Sequence, residues 1–197
     1  MENIQDVIIK IQQIVDSHKI SDGKYCRWLW QNAKNTRELG VNPYGCADAA
    51  NILYSIGKMP KSAIERDAFI TTLQSMQDPA TGLFHERTHS SFHTTAHCTA
   101  ALELFDATPL YPMTELEQYL LPNRLEEFLE NIGWYDDPWP QSHNGAGIFV
   151  AMNLSGEATP EWNRRYFDWF WNEADPETGL WRRGFVKKPG TKPLYMH

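Results

Sequence analysis

Four of the seven histidines of this chain stand at intervals of four residues, close to a glutamate, Glu86. They are His85, His89, His93 and His97. Imidazole and carboxylate groups are the side chains that most often carry protons near neutral pH or bind metal ions. Ser90 and Ser91 are residues that begin helices, so we expect 82–91 to be a loop. His93 and His97 would then lie one turn apart on a helix.

This histidine cluster allows three interpretations. The first is a zinc site made of His89, His93 and His97, with Glu86 as another source of a third ligand. The second is a set of substrate-binding or acid–base histidines that needs no cofactor. The third is a structural set whose members bond to loop carbonyls. No H-E-x-x-H or other strong metal signature occurs in the sequence, so we predict no metal as the principal reading.

A turn motif occurs twice and indicates a repeated fold. Residues 78–84 read Asp-Pro-Ala-Thr-Gly-Leu-Phe, and residues 175–181, 97 positions (175 − 78) further on, read Asp-Pro-Glu-Thr-Gly-Leu-Trp. Asp and Pro end helices, Gly permits a positive φ, and the aromatic residue packs the loop onto the helices. Weaker copies lie at 22–25 and 133–135. Self-similarity at a fixed period is the sequence signature of a repeat architecture.

Three prolines, Pro60, Pro109 and Pro160, divide these repeats into pairs of helical runs. A run of small apolar residues precedes each proline, and a longer run with one polar face follows it. We interpret the first as an inner helix and the second as an outer helix. The predicted outer helices are 4–17, 61–76, 114–132 and 161–173, and the predicted inner helices are 44–54, 93–105 and 145–154. The sequence therefore predicts an all-α fold of repeated helical hairpins that form a partial or complete α/α toroid.

The number of hairpins bears on the domain organisation. We predict one domain over 1–197 with about three and a half hairpins, and a fourth inner helix would begin near Gly184. An outer helix without an inner partner leaves an apolar stripe uncovered. We therefore expect an array that is incomplete at its C-terminus, or one that a homodimer or another partner chain completes.

Alignment of the repeats brings the polar residues of the inner helices to one level. Counted back from the prolines, His97 takes the place of Asp48 and His93 takes the place of Tyr44, with His143 and Asn144 at a similar level in the third unit. Polar groups in a buried inner ring are costly unless they bind a ligand or one another. We predict Asp48 and His97 as acid–base groups, and the following as substrate contacts: Tyr44, His93, His143 and Asn144. The alternative is a satisfied polar network that holds the loops.

A second candidate site lies at 134–140, Trp-Tyr-Asp-Asp-Pro-Trp-Pro. Adjacent carboxylates between two tryptophans fit a carbohydrate subsite, where Trp134 and Trp139 stack on sugar rings. Asp136 or Asp137, with a raised pKa, could serve as a general acid. Trp28, in the loop after the first repeat, is predicted to reach the same face. The alternative is a capping aspartate beside core tryptophans.

Composition excludes several classes of partner. The net charge is −7 and no basic block occurs, which argues against nucleic acid and anionic membranes as partners. The three cysteines form no CxxC pair, which favours a reducing compartment. No signal peptide and no run of 18 apolar residues is visible, so we expect a cytoplasmic protein with a small-molecule or oligosaccharide ligand.

The repeated Asp-Pro-x-Thr-Gly-Leu-(Phe/Trp) motif resembles the loop signature of α/α toroid carbohydrate-active enzymes. The likeness is greatest to unsaturated glucuronyl and rhamnogalacturonyl hydrolases, and looser to sugar epimerases and toroid polysaccharide lyases. The same segments also resemble the repeats of terpenoid cyclases and protein prenyltransferases, through Arg66-x-x-Phe69-Ile70-x-x-x-Gln74 followed by Gly82. The first resemblance implies six helical hairpins with acidic residues, His or Tyr at one mouth. Neither family's decisive catalytic motif occurs in the sequence.

Three functions follow as hypotheses. The first is a glycoside hydrolase, lyase or epimerase that acts on an oligosaccharide or a sugar containing uronic acid. The second is a non-catalytic half toroid that serves as a binding or assembly module, or a fragment of a larger enzyme. The third is an isoprenoid-handling toroid, which would need a cavity walled by aromatic residues rather than His and Asp.

Overall fold

The computed structural model describes residues 3–35, 37–134, 138–177, 179, 181–186 and 194–196, the last two ranges and residues 138 and 139 by their backbone alone. The described residues are mainly helical, which confirms the all-α prediction. The α-helices are α1 (Ile4–Ser17), α2 (Pro43–Ser55), α3 (Ala63–Ser75), α4 (Ser91–Glu103), α5 (Arg124–Asn131), α6 (Pro138–Leu154) and α7 (Pro160–Glu173), and Thr114–Leu120 forms a 3₁₀ helix.

The three predicted inner helices form a row in which α2 packs on α4 and α4 packs on α6. Small residues allow this close approach. A Cβ on Gly147 of α6 would lie 2.8 Å from the backbone carbonyl of Phe92 in α4, so no larger residue fits there without a shift of the backbone. This row supports the hairpin repeat; the closure of the row into a toroid stays a prediction.

Capping side chains fix where the helices begin. Asn42 and Ser90 accept backbone N–H groups of α2 and α4. The Ser62 hydroxyl accepts the backbone N–H of Glu65 at the start of α3, and Thr159 caps α7. Each bond satisfies one of the free donors of a helix start. Ser90 rather than Ser91 is therefore the cap of the histidine-bearing helix.

The inner helices end in the same way. Gly57, Asp106 and Gly156 have φ of +68°, +58° and +79° and follow α2, α4 and α6, three or four residues before the three repeat prolines. The backbone N–H groups of all three donate to the carbonyl three residues earlier, at 3.0–3.2 Å. The three inner helices thus end with the same backbone conformation, at the spacing from the prolines that the predicted repeat requires.

Both strong copies of the turn motif have one geometry. The N–H of Gly82 donates to the carbonyl of Asp78 at 2.8 Å, and that of Gly179 donates to the carbonyl of Asp175 at 2.7 Å. In each copy the aspartate carboxylate also accepts the N–H two residues on. Gly82 has φ +75°, and a Cβ there would lie 2.1 Å from the Pro112 carbonyl oxygen. The motif is therefore a structural turn in which only glycine fits at position 82.

Two apolar clusters hold the helices together. In the first, Phe69 and Leu73 of α3 pack on the small residues of α2 and α4. In the second, Trp162, Tyr166 and Trp169 of α7 pack on α5 and α6. The polar stripes of α3 and α7 remain exposed, as their predicted outer position requires.

Three sequence predictions are wrong in detail. The predicted helix 114–132 is two helices, because Pro122 removes a backbone donor and Asn123 takes φ +65°. Helix α6 begins at Pro138, seven residues before the predicted start. Where a fourth inner helix was expected, the described residues form β3 (Trp181–Val186), which pairs antiparallel with β4 (Leu194–Met196). A second small pair is β1 (Lys19–Ser21) with β2 (Lys24–Tyr25).

No helix in the part of the chain that the structure describes has both the length and the hydropathy needed to cross a bilayer.

Asp106 provides a test of the repeated helix ending. It holds a conformation that Gly57 and Gly156 hold without strain, and its ion pair with Arg66 is exposed and of little energetic value. We expect Asp106→Gly to stabilise the fold by about 0.5–1 kcal/mol and to raise Tm by roughly 2 °C. Calorimetry measures the shift, and Gly57→Asp is the converse control, which should lower Tm. A lower Tm for Asp106→Gly would contradict this account.

Candidate functional site

The first turns of α2, α4 and α6 bring the predicted polar residues together. Tyr44 and Asp48 lie one turn apart on α2, as His93 and His97 do on α4, and His143 lies in the first half of α6. Because the three helices are neighbours, these turns meet at one end of the row. We call the group Tyr44, His89, His93, His97 and His143 the Tyr44 cluster.

Five aromatic rings pack against one another in the Tyr44 cluster. The Tyr44 ring lies between His89 and His97, with centroids 4.2 and 4.4 Å away. His93 meets Tyr44 edge-on, its Nδ1 3.5 Å from the phenol oxygen, and stacks on His143 at 4.3 Å. The cluster therefore joins all three inner helices through side chains that can accept, donate or transfer protons.

Asp48 and His97 form a hydrogen-bonded pair between α2 and α4. His97 Nε2 lies 2.8 Å from Asp48 Oδ1, and the side chains are 22 % and 44 % exposed. A carboxylate only accepts hydrogen bonds, so it fixes the tautomer with the proton on Nε2. Nδ1 then holds a lone pair, and it has no hydrogen-bond partner in the described ranges. The pair can present a neutral imidazole base to a ligand.

Two loops cover the cluster from one side. Arg27, in the loop after β2, places its guanidinium 4.7 Å from the Tyr44 ring centroid. Its Nη1 lies 3.1 Å from Glu86 Oε2 and 3.0 Å from His89 Nδ1. Glu86 is only 4 % exposed at its side chain and also accepts the N–H and hydroxyl of Thr88. The ion pair thus fastens the 85–90 loop to the Arg27 loop over Tyr44.

Burial and neighbouring charges shift three pKa values here. Burial, with His143, His89, His97 and Arg27 nearby, lowers the pKa of His93 to about 4. Burial and the charge of Asp48 raise the pKa of Tyr44, against the opposing effect of Arg27. Burial acts to raise the pKa of Glu86, but its hydrogen bonds and Arg27 together lower it. At neutral pH the structure thus favours a neutral His93, a protonated Tyr44 and an ionised Glu86.

An open cleft of about 130 Å³ gives solvent access to Asp48. It lies between α1 and α2, and Arg27 and Asp48 form its polar edge while Ile14, Ala49 and Ile52 supply apolar walls. A ligand in this cleft would meet the carboxylate that holds His97.

The remaining predicted site residues lie apart from the cluster or outside the described part. Trp134 is buried at 4 % exposure in the second core, where its indole N–H donates to the Leu129 carbonyl, so the prediction that it stacks on a sugar is wrong. Asn144 donates to Gln141, and its buried Oδ1 has no partner among the described residues. Asp136 and Asp137 lie outside the described residues, as does the side chain of Trp139.

Trp28 is half-buried beside the Tyr44 cluster, and its predicted position at the face of the 134–140 segment stays a prediction. Its ring lies 4.9 Å from the guanidinium carbon of Arg27, which in turn covers Tyr44. Sequence reasoning missed Arg37, whose guanidinium lies 4.3 Å from the same ring. Neither its spacing nor its type distinguishes it from other surface arginines, so no sequence signal identifies it.

Metal ligation was the alternative interpretation of the histidines. Within the described ranges, no three His, Cys, Asp or Glu side chains are placed to hold a metal ion. Nδ1 of His89 faces Arg27 and Glu86, and Nε2 of His97 faces Asp48. One ring nitrogen of each of these two histidines is therefore engaged by protein groups in this arrangement.

Comparisons with protein-family models, with curated proteins and with solved structures find no match to this chain. The resemblance to α/α toroid enzymes therefore stays a hypothesis, and the site must be interpreted from its own geometry.

The lowered pKa of His93 predicts a pH dependence of stability. A histidine with a folded pKa below its unfolded value binds fewer protons when folded, so its contribution is present near neutral pH and is lost between about 6.5 and about 4. His93 is partly exposed, and after solvent screening we expect an effect of about 1 kcal/mol.

Urea unfolding at about pH 7 and about pH 5 measures this effect as a difference in the free energy of unfolding. His93→Gln should lose less stability than the wild type on acidification. The control variant is His85→Gln, because His85 is exposed and lies outside the cluster. It should lose as much stability on acidification as the wild type does. An unchanged pH dependence in His93→Gln would refute the proposed burial effect.

Proposed function

We propose that the Tyr44 cluster is the acid–base site of a carbohydrate-active enzyme that acts on a sugar containing uronic acid, by the lyase or epimerase type of chemistry. The observation that carries this proposal is the Asp48–His97 hydrogen bond, which leaves Nδ1 of His97 without a hydrogen-bond partner among the described residues, beside a protonated tyrosine. Both reactions begin with removal of the proton on the carbon next to the carboxylate.

His97 is the base in this proposal. Asp48 holds the proton of Nε2, so the lone pair of Nδ1 is free to accept a proton from the substrate, and the carboxylate stabilises the imidazolium that forms. In a uronate the carboxylate withdraws electrons from the neighbouring carbon and stabilises the carbanion. An ordinary neutral sugar lacks that activation, and an imidazole is too weak a base for it.

Tyr44 is the acid. Its raised pKa keeps the hydroxyl protonated, and the phenol donates a proton more readily when Arg27 stabilises the resulting charge through the ring face. In an elimination, the proton goes to the glycosidic oxygen as its bond to the sugar breaks. In an epimerisation, the Tyr44 proton goes to the opposite face of the carbanion, and the proton taken from the substrate stays on His97.

The hydrolase version of the carbohydrate hypothesis has less support. A glycoside hydrolase needs two carboxyl groups on either side of the scissile bond, roughly 5–10 Å apart. Asp48 is one candidate, but its predicted partners, Asp136 and Asp137, lie outside the described residues. The proton-transfer version uses only residues whose contacts are described. The isoprenoid alternative loses support because the cluster consists of His and Tyr and is in contact with Asp48 and Arg27.

Solvent-deuterium exchange tests the proposal directly. A panel of uronic acids and their short oligomers is incubated with the protein in D₂O, and NMR follows deuterium at the carbon next to the carboxylate and any new alkene. Exchange or elimination is expected for at least one member of the panel. His97→Gln should slow it about 100-fold or more, and Asp48→Asn and Tyr44→Phe about 10- to 100-fold.

Matched controls exclude an effect of general damage. Tyr54→Phe changes an exposed tyrosine near the other end of α2, and His85→Gln changes a histidine outside the cluster; both should leave the rate unchanged. Hydrolysis without exchange would show a hydrolase instead. Equal rates in His97→Gln and the wild type would refute the role of His97.

A second candidate function is a non-catalytic assembly module, and one observation favours it. Phe167 and Trp171, one turn apart on α7, are 57 % and 82 % exposed, as the half-toroid alternative predicts for this helix. Analytical ultracentrifugation measures the mass. On this alternative the protein forms a dimer, and Trp171→Lys dissociates it. A strictly monomeric wild type would contradict the assembly-module alternative.

A further inference from the structure

The loop between β2 and α2 carries three residues that extend away from the Tyr44 cluster. The ends of the loop are tied by a bridge between Cys26 and Val41 and by the hydrogen bond from Asn42 N–H to the Tyr25 carbonyl, at 3.1 Å. Arg27 at its start covers Tyr44, and Trp28, Trp30 and Arg37 follow. The loop therefore begins at the candidate site and leads outward from it.

Cations and aromatic rings alternate along this loop. From Tyr44 outward, Arg27 lies between the Tyr44 and Trp28 rings, at 4.7 and 4.9 Å. Arg37 then lies over both Trp28 and Trp30, at 4.3 and 4.6 Å. Such contacts use the flat face of a guanidinium group and leave the N–H groups at its edge available.

Arg37 differs from Arg27 in its charge balance. Arg27 donates to Thr88 and pairs with Glu86, which neutralises it. Arg37 has no hydrogen bond or ion pair with any residue in the described ranges. Its planar donors match the two oxygens of a carboxylate, and the stacked rings hold the guanidinium in one orientation before a ligand arrives.

A cleft of about 260 Å³ lies at this point. Its lining consists of Trp28, Arg37, Glu38, Glu86, Arg87 and Thr88. Glu86 is neutralised by Arg27, and Glu38 lies 3.7 Å from Arg87. The cation of the cleft without a carboxylate partner is thus Arg37.

We propose that this cleft binds the carboxylate of a second uronic-acid unit, so that the substrate is an acidic oligosaccharide rather than a single sugar. Arg37 binds the carboxylate through its free edge, and the exposed indole of Trp30 (55 % exposed) stacks on the sugar ring. The proposal rests on the proposed function, because it takes the Tyr44 cluster as the place where the first unit reacts.

The spacing of the contacts requires more than one sugar unit. Two groups, Arg27 and Trp28, stand between Tyr44 and Arg37 in the stack. We infer that a single ring bound at the cluster stops short of Arg37, whereas the next units of a chain reach it. We therefore expect Arg37 to matter for oligomers and not for monomers.

Calorimetric titration tests the subsite. The probes are galacturonic acid, its trimer, and a neutral glucose trimer, each titrated into His97→Gln so that no turnover occurs. The acidic trimer should bind at least tenfold more tightly than the monomer or the neutral trimer. Adding Arg37→Gln should raise the Kd of the acidic trimer about tenfold or more and leave that of the monomer unchanged.

Further variants separate the contact from general charge and from damage to the fold. Arg66 is another arginine over an aromatic ring, Phe105 at 5.4 Å, on α3, so Arg66→Gln is the matched control and should not change trimer binding. Arg37→Lys keeps the positive charge but lacks the planar pair of N–H donors of a guanidinium group. Its affinity for the acidic trimer should therefore stay close to that of Arg37→Gln. Trp30→Ala should also weaken the binding of the acidic trimer.

Two results would overturn the subsite. One is equal affinity of His97→Gln for the acidic trimer with and without Arg37; the other is equal affinity of His97→Gln for the acidic and the neutral trimer. The exchange experiment above is independent of these titrations. Arg37-dependent trimer binding without deuterium exchange would refute the proposed reaction and support the binding site. Exchange on monomers without Arg37-dependent binding would support the reaction and refute the binding site.

Discussion

The buried carboxylate of Glu86 is the interaction on which the candidate site depends. Glu86 belongs to the 85–90 loop and faces the loop that carries Arg27. Its side chain is 4 % exposed. A carboxylate at that depth is stable only with charged and hydrogen-bonding partners, which here are Arg27, Thr88 and His89. Because Arg27 belongs to one loop and Thr88 and His89 to the other, satisfying this single charge also places Arg27 and His89 against Tyr44.

The inner helices position the remaining side chains of the site. Small residues let α2, α4 and α6 approach closely, and the caps at Asn42 and Ser90 fix which residues occupy the first turns. The polar side chains there are then close enough to pair, as Asp48 and His97 do. This combination of rigid helices beneath and ion-paired loops above holds the imidazole and phenol groups in place.

Much of this arrangement could be predicted from the sequence because it repeats. The alignment on the prolines placed Asp48 level with His97, and the structure shows these two in contact. The errors came from single residues that override a periodic pattern: Pro122 interrupts an otherwise helical run, and Trp134 looks like a binding-site tryptophan but fills the second core. Arg37 could not be predicted, because its position between two indoles depends on the path of an irregular loop. Local periodicity does not encode that path.

The central claim is that Asp48 holds the proton on Nε2 of His97, so that Nδ1 is a free base. Two-bond ¹H–¹⁵N correlation NMR of the protein with labelled histidine measures this tautomer in the wild type and in Asp48→Asn. We predict that near neutral pH the ring nitrogens of His97 show the protonated Nε2 and unprotonated Nδ1 pattern, and that this pattern weakens in Asp48→Asn. A proton on Nδ1 in the wild type, or a tautomer that does not respond to Asp48→Asn, would contradict the account.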